Sequence, residues 1–412
     1  MNSVKIIGAG LAGCEAAFQL LNAGISVEIF DAKPKKMLPA YHLDTYCELV
    51  CNNSLGNINK LSPLGLLLSE LEYLGSHVIG IAQKNMLKDT NALSVDKTSF
   101  SLNVTSELKK KGAKFYCENV DKIPDDDTPL IIATGPLTSE ELMTDIAKQC
   151  NLHNYTFSDA SSPVIDGLSI QYDDSHLKKL SNDLFALNIS NDEFDIFFNT
   201  LVNSENNNNH LVDVSNDFIQ CQSLESLAKQ GKTFVISNRF TYDGMTVPTL
   251  LLRRETALSD AFILVGCTTA LGHKEQISLF SKLPALRKVK FIRYGRQHRN
   301  SYFRTPGVLN SFFQVKNKNR DIFIIGQLSG LDGYAPAIAS GYIVARKIIS
   351  KDKMRELPFE TMIGALSRYV ANIDVVDYQP MCASFSLLPR NNLNITKDYS
   401  LQLLSAYLNQ KP

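Results

Sequence analysis

The chain has 412 residues, with 42 basic and 42 acidic side chains, and 44% of it is hydrophobic. That length allows about two or three domains with substantial cores. The balanced charge excludes a bulk polycation, although it permits a local basic patch.

No apolar run is long enough to span a bilayer. A strand read from residue 4 leaves no room for a signal peptide, so a cytoplasmic protein is expected. The eight cysteines show no Cys-x-x-Cys pair and no zinc-like spacing. Free thiols are therefore expected, with no metal site and no membrane partner.

The first thirty residues carry the clearest pattern. Val4-Lys-Ile-Ile enters Gly8-Ala-Gly10-Leu-Ala-Gly13, a G-x-G-x-x-G turn. Cys14 to Asn22 reads as an amphipathic helix with Ala17, Leu20 and Leu21 on its apolar side, closed by Gly24. Ile25 to Phe30 is a second strand ending at Asp31. Strand, turn, helix and strand together are the context a dinucleotide fingerprint needs. Gly8 allows the tight turn, Gly10 lets backbone approach a pyrophosphate, and Gly13 lets helix and strand pack closely. The helix N-terminus offers N–H donors to phosphate. Asp31 stands where an acid accepts ribose hydroxyls, which favours FAD or NAD over NADP.

Further along, Lys33-Pro-Lys-Lys and Pro39 mark a loop. Leu64, Leu67, Leu68 and Leu71 predict a helix from Ser62 to Leu74. Asp96 to Lys110 reads as another helix and Lys114 to Glu118 as a strand. Leu130-Ile-Ile-Ala133-Thr134-Gly135 is a buried strand running into a glycine turn. In two-dinucleotide-domain flavoproteins such a turn passes the adenosine-phosphate half of the flavin.

Residues 140–320 are richer in Asn, Ser and aromatics. Ser204 to His210 is a polar tract expected on the surface. Phe262 to Cys267 reads as a strand, and Lys274 to Leu283 as a helix stopped by Pro284. Arg287 to Asn300 is the most basic stretch, with aromatics interleaved. That suits phosphates and stacked bases, or simply a solvated face. Asp321 to Ile325 is a buried strand that meets a turn containing Gly326, Gln327, Gly330, Gly333 and Tyr334. A small-residue helix follows from Ala335 to Ile349.

In glutathione-reductase-like flavoproteins such a late unit returns to the first domain and covers the ribityl-phosphate. The expected fold is therefore α/β, a two-domain flavoprotein of glutathione-reductase-like type. A Rossmann-like FAD domain is built from residues 1–139 and 320–412, with an α+β insertion domain at 140–319 for substrate. Phe359 to Tyr407 reads as helical. Cys14, Cys117 and Cys267 read as core thiols.

These motifs together resemble the folate- and FAD-dependent RNA uracil-5-methyltransferases. The resemblance is carried by Ile6-Ile-Gly-Ala-Gly-Leu-Ala-Gly-Cys-Glu-Ala-Ala17 and by Glu48-Leu-Val-Cys-Asn-Asn-Ser-Leu55. It continues through Ser94-Val-Asp-Lys97, Ile131-Ile-Ala-Thr-Gly-Pro-Leu-Thr-Ser139 and Arg293-Tyr-Gly-Arg-Gln-His-Arg-Asn300. Gly326-Gln-Leu-Ser-Gly-Leu-Asp-Gly-Tyr334, Gln379-Pro-Met381 and Ser386-Leu-Leu-Pro389 complete it.

The resemblance implies FAD, 5,10-methylenetetrahydrofolate and NADH or NADPH as reductant. The implied reaction methylates uridine C5 in structured RNA. It also implies that Cys221 is the nucleophile at uracil C6 and that Cys51, the near-flavin cysteine, does base or auxiliary work at C5. Arg293, His298, Arg299 and Asn300 then orient the uracil or bind phosphate, and Tyr334 stacks on the flavin or on a base.

Departures concentrate in the middle. Gly56 stands where family members carry Arg. No Asn-Cys-Pro appears near Phe185 to Ser190, and Phe234 to Val247 replaces a Lys-Pro-Val-Gly-Leu-like segment. Near the C-terminus, Phe385-Ser386 stands where Phe-Gly is usual. Because that family holds its RNA in the insert, this drift leans the expectation toward 23S rRNA, with the tRNA T-loop as the alternative.

Three rivals differ in kind. One is a longer flavoprotein family acting at the tRNA wobble uridine, another an inactive FAD- and RNA-binding factor. The third is an NAD(P)H-flavin oxidoreductase of a small molecule.

Overall fold

The computed structural model describes residues 3–38, 41–88, 91–171, 176–204, 222–242, 245–256, 260–375, 378–389 and 397–409. The chain opens with β1 (Ser3–Ile7), α1 (Leu11–Asn22), β2 (Ser26–Asp31), β3 (Ser54–Asn57), α2 (Pro63–Tyr73) and α3 (His77–Lys84). Then come β4 (Ala92–Ser94), α4 (Lys97–Lys110), β5 (Lys114–Cys117), β6 (Leu130–Ile132) and α5 (Glu140–Cys150). The middle holds β7 (His153–Ala160), β8 (Val164–Asp166), β9 (Leu177–Lys179), β10 (Leu184–Asn188), α6 (Asn191–Val202), α7 (Leu224–Ala228) and α8 (Lys232–Arg239). It continues with β11 (Thr249–Arg254), β12 (Ala261–Leu264), α9 (His273–Phe280), β13 (Phe291–Arg293) and β14 (Gln297–Arg304). The last elements are β15 (Ile322–Ile324), α10 (Tyr334–Ser350), α11 (Met362–Tyr369) and α12 (Lys397–Asn409).

Two sheets organise these elements. The first is parallel, in the order β15-β6-β1-β2-β5, so its strands come from both ends of the chain. Strands β6 and β15 are apolar and buried throughout, as expected when helices cover both faces, and β1 is apolar except for Ser3 and Lys5. The second sheet is antiparallel, in the order β13-β8-β12-β11-β10-β9, with its own core around Phe194, Phe197, Phe240 and Phe280. A separate antiparallel ribbon pairs β7 with β14.

The predicted helices and strands of the first sheet appear where read. Ser62 caps α2 by accepting from the Gly65 N–H, and Asp96 caps α4 from Ser99. Two sequence boundaries differ from the packing. Helix α5 and Phe303, Leu309 and Val315 join the core under β6 and β15, so that core reaches past residue 139 and begins again before 320. Between α11 and α12 the described chain is irregular, with one 3-10 turn at Phe385–Leu387, because Pro380 and Pro389 cannot continue a helix. Cys14 and Cys267 are buried, whereas Cys117 ends an edge strand half-exposed. The polar tract from Ser204 lies outside the described residues beyond Ser204 itself. No single helix among the described residues is long and apolar enough to cross a membrane.

Two buried glutamates tie helices together. Glu15 accepts the Ser76 hydroxyl and the Val78 N–H, at 2.8 and 2.9 Å, and so caps α3. Glu70 on α2 accepts Met362 N–H and Ile363 N–H, both at 2.8 Å, and the Ser400 hydroxyl. It thereby closes the first turn of α11 and holds α12. Burial pushes the Glu70 carboxyl from 4.5 up to about 7, against the pull of those donors.

A carboxyl raised on folding binds its proton more tightly in the native state. Its stabilising contribution is complete below 4.5 and is lost as pH rises to about 7. The loss is on the order of 3 kcal/mol. Thermal melts across pH 5 to 8 should therefore show a steeper fall for the native chain than for Glu70→Gln. Parallel slopes would refute this account of Glu70.

Candidate active site

The carboxyl ends of four parallel strands meet at one cavity of about 770 Å³, within the range of small-ligand sites. Gly8 after β1, Asp31 at the end of β2, Ala133 after β6 and Gly326 after β15 all line it. The chain reverses direction across the sheet between β1 and β6, which is where open α/β sheets bind ligands.

The three fingerprint glycines have separable roles. Gly8 has φ +98°, and a Cβ there would lie 2.4 Å from the Ala133 carbonyl oxygen. A Cβ on Gly13 would lie 2.1 Å from the Gly8 oxygen, so this glycine serves helix–strand packing and does not line the cavity. Gly10 and Gly135 line the cavity with nothing within 4 Å of an added Cβ. That open space, at the N-terminus of α1, fits a pyrophosphate. Asp31 accepts the Ala9 and Lys33 N–H groups at 2.8 and 2.9 Å. A carboxylate has lone pairs to spare for ribose hydroxyls beyond these two. The residues present therefore fit a dinucleotide such as FAD.

A loop from β2 carries the thiol into this cavity. Lys33 Nζ is buried and meets Glu48 Oε2 at 2.5 Å and the Leu43 and Thr45 carbonyls at 3.1 Å. Glu48 also accepts the His42 N–H at 2.7 Å. Cys47 takes φ +59° and donates its N–H to Ala9 O at 2.8 Å, fastening the loop to the glycine turn. Cys51 follows in the cavity wall.

Tyr334, at the start of α10, faces Cys51. Its hydroxyl oxygen accepts the Cys51 N–H at 2.8 Å and the Asn52 N–H at 3.4 Å. Burial, and next the neighbouring Cys51, hold this phenol well above its usual value, so it keeps its proton at neutral pH.

The opposite wall comes from the second sheet and its neighbours: Asn238, Arg239, Thr241, Arg253, Thr268 and Asn300. Arg239 is buried and donates to the Asn238 and Gln222 carbonyls, each at 3.1 Å. Sequence reading missed Arg239 and Arg253 because only the folded arrangement brings the end of α8 and β11 to the same cavity as the glycine turn. It also missed Lys33–Glu48, whose signal was the Glu48 of the motif containing Cys51.

Of the remaining predicted residues, Thr134, Gln327 and Gly333 line the cavity. Gly330 does not; with φ +78°, it lies under Tyr378, whose hydroxyl an added Cβ would meet at 2.4 Å. Arg293 is also away from the lining and pairs with Glu255, which Lys97 meets at 3.3 Å. His298 and Arg299 pair in β14 with Asp159 and Ser158, and their side chains lie outside the described set. Cys221 lies outside the described residues.

Two predictions follow from these contacts. Gly10→Ala should leave the apoprotein's melting temperature unchanged but abolish flavin retention, whereas Gly13→Ala should lower the melting temperature. Equal behaviour of the two variants would refute the division of roles. Tyr334→Phe removes the acceptor of two backbone N–H groups, at a cost of about 1–3 kcal/mol. Hydrogen exchange at Cys51 and Asn52 should then accelerate at least tenfold while flavin content stays constant; unchanged exchange would sink the assignment.

Comparison with known proteins agrees with this geometry. Residues 3–356 match the family described as glucose inhibited division protein A. The methylenetetrahydrofolate–tRNA-(uracil-5-)-methyltransferase TrmFO of Ligilactobacillus salivarius is 34% identical over 405 residues, covering 94% of this chain and 92% of the relative. The enzyme of that name from Bacillus pumilus is 33% identical over 401 residues, covering 93% and 92%. Two crystal forms of Aquifex aeolicus GidA superpose with TM-scores of 0.73 and 0.75 at 15% and 16% identity. They cover 98% of this chain, and 72% and 75% of those chains, so the fold is shared with a longer protein. A parallel sheet assembled from both chain ends, a glycine cradle and near-complete alignment with these relatives place the chain in the glucose inhibited division protein A family.

Proposed function

We propose that this protein transfers a one-carbon unit from 5,10-methylenetetrahydrofolate to C5 of a uridine in tRNA, giving 5-methyluridine. The observation that carries the reading is one cavity whose wall joins a dinucleotide cradle to Cys51, in a chain aligned nearly end to end with enzymes named for that reaction. The relatives reported are named for tRNA, and none of them supports the leaning toward 23S rRNA.

FAD, if bound here, would supply hydride and one-carbon transfer chemistry, with NADH or NADPH as the reductant. The chain's own residues do the rest. Gly10 and the α1 N-terminus hold the pyrophosphate, and Asp31 the ribose. Uracil C5 is a weak nucleophile until a thiolate adds at C6, because addition places enolate charge on the ring. Cys221 is assigned this addition, and Cys51 removal of the C5 proton so that the C6 thiol can leave. Gln222, the residue after Cys221, has its carbonyl held by Arg239 and by Thr268 at 2.8 Å, both in the cavity wall. We assign the second sheet and its helices to RNA binding.

The test is methyl transfer from labelled methylenetetrahydrofolate, with FAD and NADPH, to unmodified tRNA and to protein-free 23S rRNA in parallel. Label in tRNA is expected, with Cys51→Ala and Cys221→Ala each reducing it by at least a hundredfold. Label in rRNA alone would reassign the substrate. Label in neither, from a reducible yellow protein, would leave a non-catalytic RNA-binding flavoprotein.

A further inference from the structure

Outside the cavity, three rings form a ladder on the second sheet. His273, the first residue of α9, stacks on Tyr294 with centroids 4.0 Å apart and planes 12° apart. Tyr294 stacks on Phe291 at 4.9 Å and 13°. Phe291 leans on buried Phe280 at 6.1 Å, so the ladder is rooted in the core. It ends at the surface, where His273 is exposed. Buried Gln276 sets the spacing: its amide accepts the Gly295 N–H and donates to the Gly295 carbonyl, each at 2.9 Å, locking α9 to the Tyr294 turn.

The surroundings are cationic. Arg287 to Asn300 contains six Lys and Arg and no acid. Arg293 is engaged by Glu255, but Arg287, Lys288, Lys290 and Arg296 are exposed, as is Lys274 beside His273. The one nearby acid on α9, Glu275, is half-buried and folds back toward Gly272. The platform also adjoins the active site. Arg296 exchanges hydrogen bonds with Ser161, whose neighbour Ser162 lines the cavity.

We propose that the His273–Tyr294–Phe291 ladder is a docking platform for an unpaired RNA base, with Lys274 and Arg296 binding the flanking phosphates. Parallel ring stacks accept any base as a further rung, and the cations beside them track the backbone. The inference rests on the RNA reading above and places the recognition beside the chemistry rather than within it.

The test is binding of fluorescently labelled, unmodified tRNA transcript to the FAD-loaded protein. His273→Ala should weaken binding about tenfold, and His273→Phe, which keeps a ring, should stay within twofold. Lys274→Gln with Arg296→Gln should flatten the slope of log affinity against log salt by about 1.4 to 1.8, two phosphate contacts' worth. NADPH oxidation without RNA should be unchanged in all three. Native protein that binds tRNA no better than it binds albumin would overturn the RNA reading itself. Tight native binding with His273→Ala and the double variant both within twofold would overturn only the ladder.

Discussion

Two helices from distant parts of the chain touch backbone to backbone, and the site depends on that contact. A Cβ on Gly341 of α10 would lie 2.2 Å from the Ala12 carbonyl oxygen of α1, so only glycine allows the approach. Ser340 accepts the Gly326 N–H at 2.9 Å, which fixes the late turn against the same helix pair. Any larger residue at this crossing would push α10 outward. Tyr334 would then leave Cys51, and the late turn would leave the glycine cradle. Small residues here act through distance rather than affinity.

Buried charge makes the second set of ties. Lys33 and Glu48 close the loop that delivers Cys51, while Lys97 and Arg293 share Glu255 between the first and second sheets. Asn53 adds a direct link by donating to the Arg254 carbonyl at 2.8 Å. Pairs of this kind contribute little net stability after desolvation, yet leaving one member alone is costly. Their effect is on geometry: each has one satisfactory arrangement, so both walls of the cavity are held in register.

The parallel half was legible because its signals are local. Gly8, Gly10 and Gly13 answer backbone constraints within six residues of one another, and β6 and β15 are unbroken apolar runs. The antiparallel half was not. Strands β8, β9 and β13 have three residues each, too short to show alternation, and β10 is buried along nearly its whole length. The site divides the same way. Cys51 sits in a continuous motif and could be read, whereas Arg239 enters only through the pairing of distant elements. Gly330 shows the converse: a glycine in a persuasive motif can serve a tyrosine ring rather than a ligand.

The order of strands in the first sheet has a consequence for synthesis on the ribosome. Strand β6 must wait for β15, which lies roughly 190 residues downstream. At ordinary elongation rates that interval is about 10 to 40 s. Throughout it, an entirely apolar Leu-Ile-Ile strand stands at the edge of an unfinished sheet, and the face of α1 reserved for α10 is bare. An uncovered edge of this kind invites pairing with another chain. The intervening second sheet, with its own core, can form meanwhile. A fold that draws its cofactor cradle from both ends thus accepts a long unguarded period, during which nascent-chain chaperones have a defined segment to shield.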